Sequence, residues 1–294
     1  MPRTEPKPSW LKMRLPSGEN VAGIRSMLRD KGLYTVCEEA RCPNLGECWD
    51  AGTATLMIMG DVCTRGCRFC AVKTGNPQGW LDPDEPAKVA RSAEIMGLRY
   101  LVLTSVDRDD LEDFGANHYA ACIQALKDKR PDLLVEALTP DFQGRRSCIE
   151  TLVSADLDVF AHNLETVESL HRRVRDVRAR YSQSLQVLAD AKALRPGIVT
   201  KSSLMLGLGE TEVEVRQAFA DLRAAGVDIL TLGQYLQPTS RHLPVERYLQ
   251  PEEFDHWKEV AERDFSFAFC ASGPMVRSSY KAAEHFLLSR LGTS

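Results

Sequence analysis

The sequence predicts an α/β fold, a partial (β/α)6 TIM-type barrel with N-terminal and C-terminal extensions covering the barrel mouth. Three observations carry this expectation. From residue 55 onward, short apolar runs alternate with longer stretches of helical periodicity, the pattern of βα units around a parallel sheet. Polar residues follow the apolar runs in turn, as they do where strand C-terminal ends build a site. A length of 294 residues with 44% hydrophobic content suffices for one large core.

Residues 1 to about 20 hold prolines at 2, 6, 8 and 16 and no sustained period, so they read as an extended arm. Val21 to Asp30 is expected as a short helix closed by Gly32. The stretch Cys37-Glu-Glu-Ala-Arg-Cys42-Pro-Asn-Leu-Gly-Glu-Cys48 is turn-rich and too poor in apolar residues to pack alone. Strands are expected at Thr55 to Met59, Tyr100 to Thr104, Leu133 to Leu138, Leu157 to Ala161, Val199 to Leu206 and Ile229 to Leu232. Helices are expected near 84–97, 116–129, 145–154, 181–194 and 211–225. This divides the chain into an extension at 1–52, a barrel at 53–265 and a C-terminal segment at 266–294.

With 41 acidic and 37 basic residues the formal charge is −4, so no broad basic field points to nucleic acid or a membrane surface. The N-terminus lacks the apolar core of a secretory signal, and no stretch reaches the roughly 18 unbroken apolar residues of a membrane span. The expectation is a cytoplasmic protein. In that setting nine cysteines point to metal or catalytic use, not to disulfides. Cys122, Cys148 and Cys270 stand alone in apolar surroundings and read as inert buried thiols.

The chemistry starts at Cys63-Thr-Arg-Gly-Cys67-Arg-Phe-Cys70, on a loop leaving the first strand. Three thiolates at this spacing can reach three corners of a four-iron four-sulfur cube and leave the fourth iron without a cysteine. An open iron binds a small chelate, and the amino and carboxylate groups of S-adenosylmethionine (SAM) suit it. A structural zinc site is the competing reading, but zinc sites usually repeat a two-residue spacing and close with four ligands. After the fourth strand, Asn163 and Glu165 stand two apart and can offer an amide and a carboxylate to two ribose hydroxyls, or else make a local turn or cap. Gly207 and Gly209, with Glu210 next, permit close backbone approach or simply a turn. Thr104-Ser105 opens the acidic run that ends the second strand, and that run reads either as a solvated loop or as part of the mouth. His162 reads as a packing residue. Lys201, Arg241 and His242 are free to meet a partner or substrate.

The triplet spacing resembles that of the radical SAM superfamily. With Cys37, Cys42 and Cys48 upstream, Thr104-Ser-Val-Asp-Arg-Asp-Asp-Leu111 and Arg277-Ser-Ser-Tyr280, the chain is similar to the lipoyl synthases from about Pro8 to Tyr280. Where that family usually has two glycines, this chain has Phe114-Gly115. The resemblance implies two 4Fe–4S clusters, the second held by Cys37, Cys42, Cys48 and Ser279, the serine being a hard and labile donor among thiolates. It implies ribose binding by Asn163 and Glu165, adenine beside Gly207, Gly209 and Glu210, and a role near SAM for Thr104 and Ser105. It further implies sulfur insertion at carbons 6 and 8 of an octanoyl-lysine, with two SAM molecules consumed and the second cluster as donor. The partners implied are octanoylated carrier domains of 2-oxoacid dehydrogenase E2 subunits and the glycine-cleavage H protein, an electron donor such as ferredoxin or flavodoxin, and an iron–sulfur carrier protein. A biotin-synthase-like enzyme or a methylthiotransferase would share the first triplet. An iron–sulfur electron carrier would need no open corner.

Overall fold

A computed structural model describes residues 7–11, 34–35, 53–96 and 98–279. Cys37, Cys42, Cys48, Tyr280 and the helix expected at Val21 to Asp30 lie outside the described residues. All six expected strands are present: β2 Thr53–Ile58, β5 Tyr100–Ser105, β6 Leu134–Leu138, β7 Val159–Ala161, β8 Val199–Leu206 and β9 Ile229–Gln234. They pair in parallel in that order. Two further strands extend the sheet. β1, Tyr34–Thr35, lies antiparallel on β2, and β10, Phe269–Gly273, runs parallel to β9. The parallel part of the barrel therefore has seven strands, and the segment that begins at residue 266 opens by adding the last of them.

The helices that separate the strands are α1 Glu85–Ile95, α2 Ala116–Lys129, α3 Arg146–Ser154, α4 His171–Val174, α5 Tyr181–Leu194, α6 Glu212–Ala224 and α7 Pro251–Glu259. Two of them start on local signals. Thr211 and Glu214 form a reciprocal capping box at α6, and Pro251 opens α7 behind Gln250, where a missing N–H costs nothing. Strand alternation then sorts the apolar residues. Leu101 and Leu103 pack with Ile123, Leu126 and Val89 in the layer between sheet and helices, whereas Tyr100 and Val102 join Val159, Val199 and Ile229 in a separate cluster.

That second cluster surrounds a charge. Lys201 Nζ lies 2.7 and 2.8 Å from the two Glu136 oxygens, and the Tyr100 hydroxyl donates to the same carboxylate at 2.5 Å. Both charged residues are buried, at 2% and 0% exposure. The expectation that Lys201 meets a partner or substrate is thus corrected: its ammonium is spent inside the barrel. Breaking such a pair costs about 3–5 kcal/mol, because the partner stays buried and uncompensated.

Candidate active site

The cysteine loop is fixed from both ends. β2 runs out into a left-handed turn, Met59 at φ 66° and Gly60 at φ 88°. Buried Glu85 accepts the Met59 N–H at 2.9 Å and lies 2.6 Å from His118 Nε2, tying the turn to α1 and α2. Beyond it, Val62–Cys63 (β3) and Lys73–Thr74 (β4) pair in parallel, and the Gly75 N–H donates to Cys63 O at 2.9 Å.

The charged run after β5 clamps this loop. Arg65, 3% exposed, donates from Nε and Nη2 to Asp109 at 2.9 and 2.8 Å and from Nη1 to Asp141 at 2.8 Å. Thr64 Oγ1 donates to Asp109 at 2.8 Å. Arg108, 1% exposed, forks onto Asp110 and reaches Met59 O and Trp80 O at 3.3 and 2.9 Å. The solvated-loop reading of Asp107 to Asp113 therefore does not hold for its first half, whose carboxylates match the planar fork of two arginines. Against the push of burial, Arg65, Gln143 and Thr64 hold Asp109 down at about 2. Phe114 takes φ 54° and Gly115 φ 84°, so the phenylalanine adopts a backbone state that glycine normally fills. The Arg145 guanidinium covers its ring at 4.9 Å. At Gly115 a Cβ would sit 2.2 Å from Met59 Sδ, so glycine is required there.

Cys63, Cys67 and Cys70 line one cavity of about 490 Å³, within the roughly 300–1,000 Å³ of small-molecule sites. Every sulfur receives backbone N–H: Arg65 and Asp107 each at 3.4 Å on Cys63, Asp176 at 3.4 Å on Cys67, and Val72 on Cys70. Burial, then Asp107, pushes the Cys63 thiol up to about 12, and burial pushes Cys70 up to about 11. Thiols this dry ionise only for a cation. Amide hydrogen bonds to sulfur are the usual surroundings of a cluster ligand, and among the described residues no fourth cysteine lines the cavity. The donor set fits a four-iron cluster with one open corner.

The rest of the lining fits a zwitterionic nucleoside. Thr104 and Ser105 line the cavity at the end of β5, and Ser105 Oγ is enclosed without a partner. Asn163 and Glu165 line it after β7, with Asn163 Nδ2 donating to Glu165 Oε1 at 3.0 Å. Glu165 stands at φ 72°, a strained state for a side chain with a Cβ, held by N–H donation to Ser203 O at 2.9 Å and by accepting from Met205 N–H at 2.9 Å. Burial raises its carboxyl, against Arg175 and the Asn163 amide.

Arg175 is the residue that motif reading missed. It lines the cavity, donates from Nη1 to Ser184 Oγ at 2.9 Å, and keeps Nε enclosed with no acceptor. A lone arginine among six basic residues between 171 and 180 gave no signal in the sequence.

The C-terminal segment reaches the same cavity, for Val276, Arg277, Ser278 and Ser279 all line it. The segment presses so close to β9 that a Cβ on Gly233 would lie 2.1 Å from Val276 O. Gly207, Gly209 and Glu210 are not among the lining residues. Glu210 instead accepts the Gly207 and Leu208 N–H groups at 2.6 and 2.9 Å, and a Cβ at Gly207 would meet Gln234 Nε2 at 2.2 Å. The structure thus gives these three a turn-building role behind the wall. His162 packs as expected: Nδ1 lies 2.9 Å from Thr139 O and Nε2 3.0 Å from Ser184 Oγ, and burial lowers it to about 4. His242 Nε2 is 2.9 Å from Cys70 O, bracing the loop, and Arg241 is exposed.

Fold and cavity together define a radical SAM protein, and residues 57–222 match the Radical SAM superfamily. Among solved structures, the FeFe-hydrogenase maturase HydG superposes with TM-score 0.59 at 13% identity, over 85% of this chain and 65% of that one. Methylornithine synthase does so with TM-score 0.55 at 14% identity, over 84% and 73%. Residues 3–42 match the N-terminal domain of lipoyl synthase. Lipoyl synthase of Marinobacter nauticus is 59% identical over 99% of this chain and 83% of its own length. That of Thermus thermophilus is 58% identical over 96% and 87%, and the mitochondrial enzyme of Culex quinquefasciatus 56% over 97% and 76%. The chain belongs to the lipoyl synthase family, sulfur-inserting enzymes that use a 4Fe–4S cluster and SAM.

Proposed function

We propose that this chain inserts sulfur at carbons 6 and 8 of an octanoyl group held in amide linkage on a lysine of a carrier domain. In this proposal Cys63, Cys67 and Cys70 hold the SAM-binding cluster, and Cys37, Cys42, Cys48 and Ser279 hold a second one. The observation that most supports it is the meeting of the cysteine triplet and Ser279 at one cavity. When bound, SAM with its cluster supplies a 5′-deoxyadenosyl radical that takes hydrogen from unactivated carbon, and the second cluster supplies sulfide.

The chain's own residues bind, orient and exclude water. Arg175 Nε, enclosed and unpaired, is aimed for the SAM carboxylate. Asn163 and Glu165 take the two ribose hydroxyls, with Ser105 Oγ as a further polar contact. Val106, Leu138, Leu204, Met205 and Leu236 supply the apolar lining that a hydrocarbon chain needs. His162 is neutral and occupied on both nitrogens, so it moves no proton. Ser279, a hard oxygen donor, would hold the second cluster less firmly than the three thiolates would. We place residues 1–52 and 266–294 as the two covers of the mouth. The partners are E2 carrier domains and the H protein, a low-potential electron donor and an iron–sulfur carrier, in the reducing cytoplasm. Among the described residues no helix is long and apolar enough to cross a membrane.

The test is anaerobic turnover with an octanoylated carrier peptide, SAM and reductant, after reconstitution with heavy-isotope sulfide and removal of the excess. The expected product carries two heavy sulfur atoms. Light sulfur overturns the second cluster as donor, and absence of any lipoyl product overturns the substrate.

A further inference from the structure

The chain is acidic overall, at −4, yet Arg68, Arg172, Arg173, Arg178 and Arg180 are all exposed on one short stretch of surface. Hydrogen bonds gather them. The Arg68 N–H donates to Val174 O at 2.9 Å and Arg178 Nη2 to Thr64 O at 2.7 Å. Within the knuckle, the Arg175 N–H donates to His171 O at 2.8 Å and the Ala179 N–H to Asp176 O at 3.0 Å. Residues 171–180 thus fold as one knuckle against the cysteine loop. Glu246 and Asp176 offset Arg173 and Arg178, whereas Arg68, Arg172 and Arg180 have no carboxylate partner among the described residues. Within the ring Val177 is 82% exposed, the most exposed large hydrophobic residue described.

This face lies directly over a proposed cluster ligand. Exposed Gly66 donates its N–H to Asp176 Oδ2 at 2.9 Å, and the Asp176 N–H donates to Cys67 Sγ at 3.4 Å. None of Arg172, Val177, Arg178 and Arg180 lines the cavity, so whatever sits here approaches the cysteine loop from outside and delivers nothing into the mouth. An exposed apolar residue among arginines, three of them without a carboxylate partner among the described residues, suits a small, transient, charge-steered contact, the kind that electron-transfer partners make.

We propose that this arginine-ringed knuckle is the docking surface for an acidic one-electron donor protein. The inference rests on reading Cys63, Cys67 and Cys70 as cluster ligands. The step balances simply. A reduced flavin protein in its hydroquinone state gives up one electron and becomes the semiquinone, the cluster gains that electron, and no bond or proton moves between the two proteins.

The probe is a flavodoxin with an acidic surface, and the variant is the double reversal Arg172→Glu with Arg180→Glu. Arg91→Glu, exposed on α1, serves as the remote control. Binding of flavodoxin to the cluster-loaded protein is read by calorimetry across a salt series, and cluster reduction by rapid-freeze electron paramagnetic resonance. The double variant should bind roughly tenfold or more weaker at low salt, with a flatter salt dependence. Iron content and dithionite-driven SAM cleavage should stay at wild-type level. Equal affinity of double variant and wild type overturns the docking surface, as does an equal loss in Arg91→Glu. A loss of affinity for the octanoylated carrier domain with flavodoxin binding intact also overturns it. Failure of the wild type to cleave SAM with dithionite would instead strike the cluster reading beneath.

Discussion

Arg175→Ala removes a guanidinium whose Nε is enclosed without an acceptor and whose Nη1 braces Ser184 Oγ at 2.9 Å and Asn163 O at 3.3 Å. A hydrogen bond from a charged donor to the SAM carboxylate is worth about 1.5–3 kcal/mol net, which is roughly 10- to 150-fold in Kd. The loss has a second arm. Arg175 opposes the upward push of burial on Glu165 and on Cys67, so its removal lets both rise further and would weaken the carboxylate in its proposed role as a ribose acceptor. Asn163→Ala and Glu165→Ala each forfeit one buried partner, about 1–3 kcal/mol, without touching the carboxylate contact. Arg175→Lys keeps the charge but not the fork and should fall between Ala and wild type. The assay is anaerobic calorimetry of SAM on cluster-loaded protein, with iron and sulfide determined on the same sample. A Kd unchanged in Arg175→Ala at unchanged iron content refutes the reasoning.

Two further outcomes are expected. Arg65→Met strands Asp109 and Asp141 without their guanidinium, so the denaturation midpoint should drop by the equivalent of about 3–5 kcal/mol with loss of iron, and wild-type values of both would dismiss the clamp. His162 is held down to about 4 by burial, whereas in the unfolded chain it titrates near 6.5. The unfolded chain therefore binds the extra proton, and stability falls as pH drops from 6.5 towards 4, on the order of 3 kcal/mol in full. Denaturant titrations of His162→Gln should show a flatter profile across that window than wild type, and parallel profiles would remove His162 from the account.

The sheet was legible where its strands are long and apolar. Tyr100–Ser105 buries almost every residue and opens on the continuous run Tyr-Leu-Val-Leu, whereas Val199–Leu206 buries Thr200, Lys201, Ser202 and Ser203 in its middle and is apolar only at its ends. β10 is Phe-Cys-Ala-Ser-Gly, mostly small and with only Cys270 fully buried, and such a run carries almost no periodic signal. It is a strand because β9 offers an open edge. The triplet was legible because spacing alone brings three sulfurs together. Arg175 was not, since nothing local distinguishes an arginine that lines a cavity from its four exposed neighbours Arg172, Arg173, Arg178 and Arg180. Gly233 was equally silent: its need is set by Val276, forty-three positions on, and only the fold brings the two into contact. Gly207 to Glu210, which in sequence read as either a ligand approach or a turn, do not line the cavity, and the Glu210 carboxylate closes its own turn.

The electrostatics of the cysteine loop favour the thiol over the free thiolate. The surrounding protein pushes Cys63 up to about 12 and Cys70 up to about 11, and it raises Cys67 as well, so all three sulfurs carry protons at neutral pH before a cluster is assembled. Their mutual repulsion therefore does not shape the loop. The shape comes from elsewhere: Arg65 on Asp109 and Asp141, the β3 and β4 pairing, and His242 on Cys70 O. A cluster held by these three sulfurs would release one proton for each thiol on binding. Asp107 stands where the first of those protons can go. Burial raises it to about 6, and the Cys63 thiol donates to its Oδ2 at 3.7 Å. The amides aimed at the sulfurs then favour the thiolates once a cation has replaced the protons.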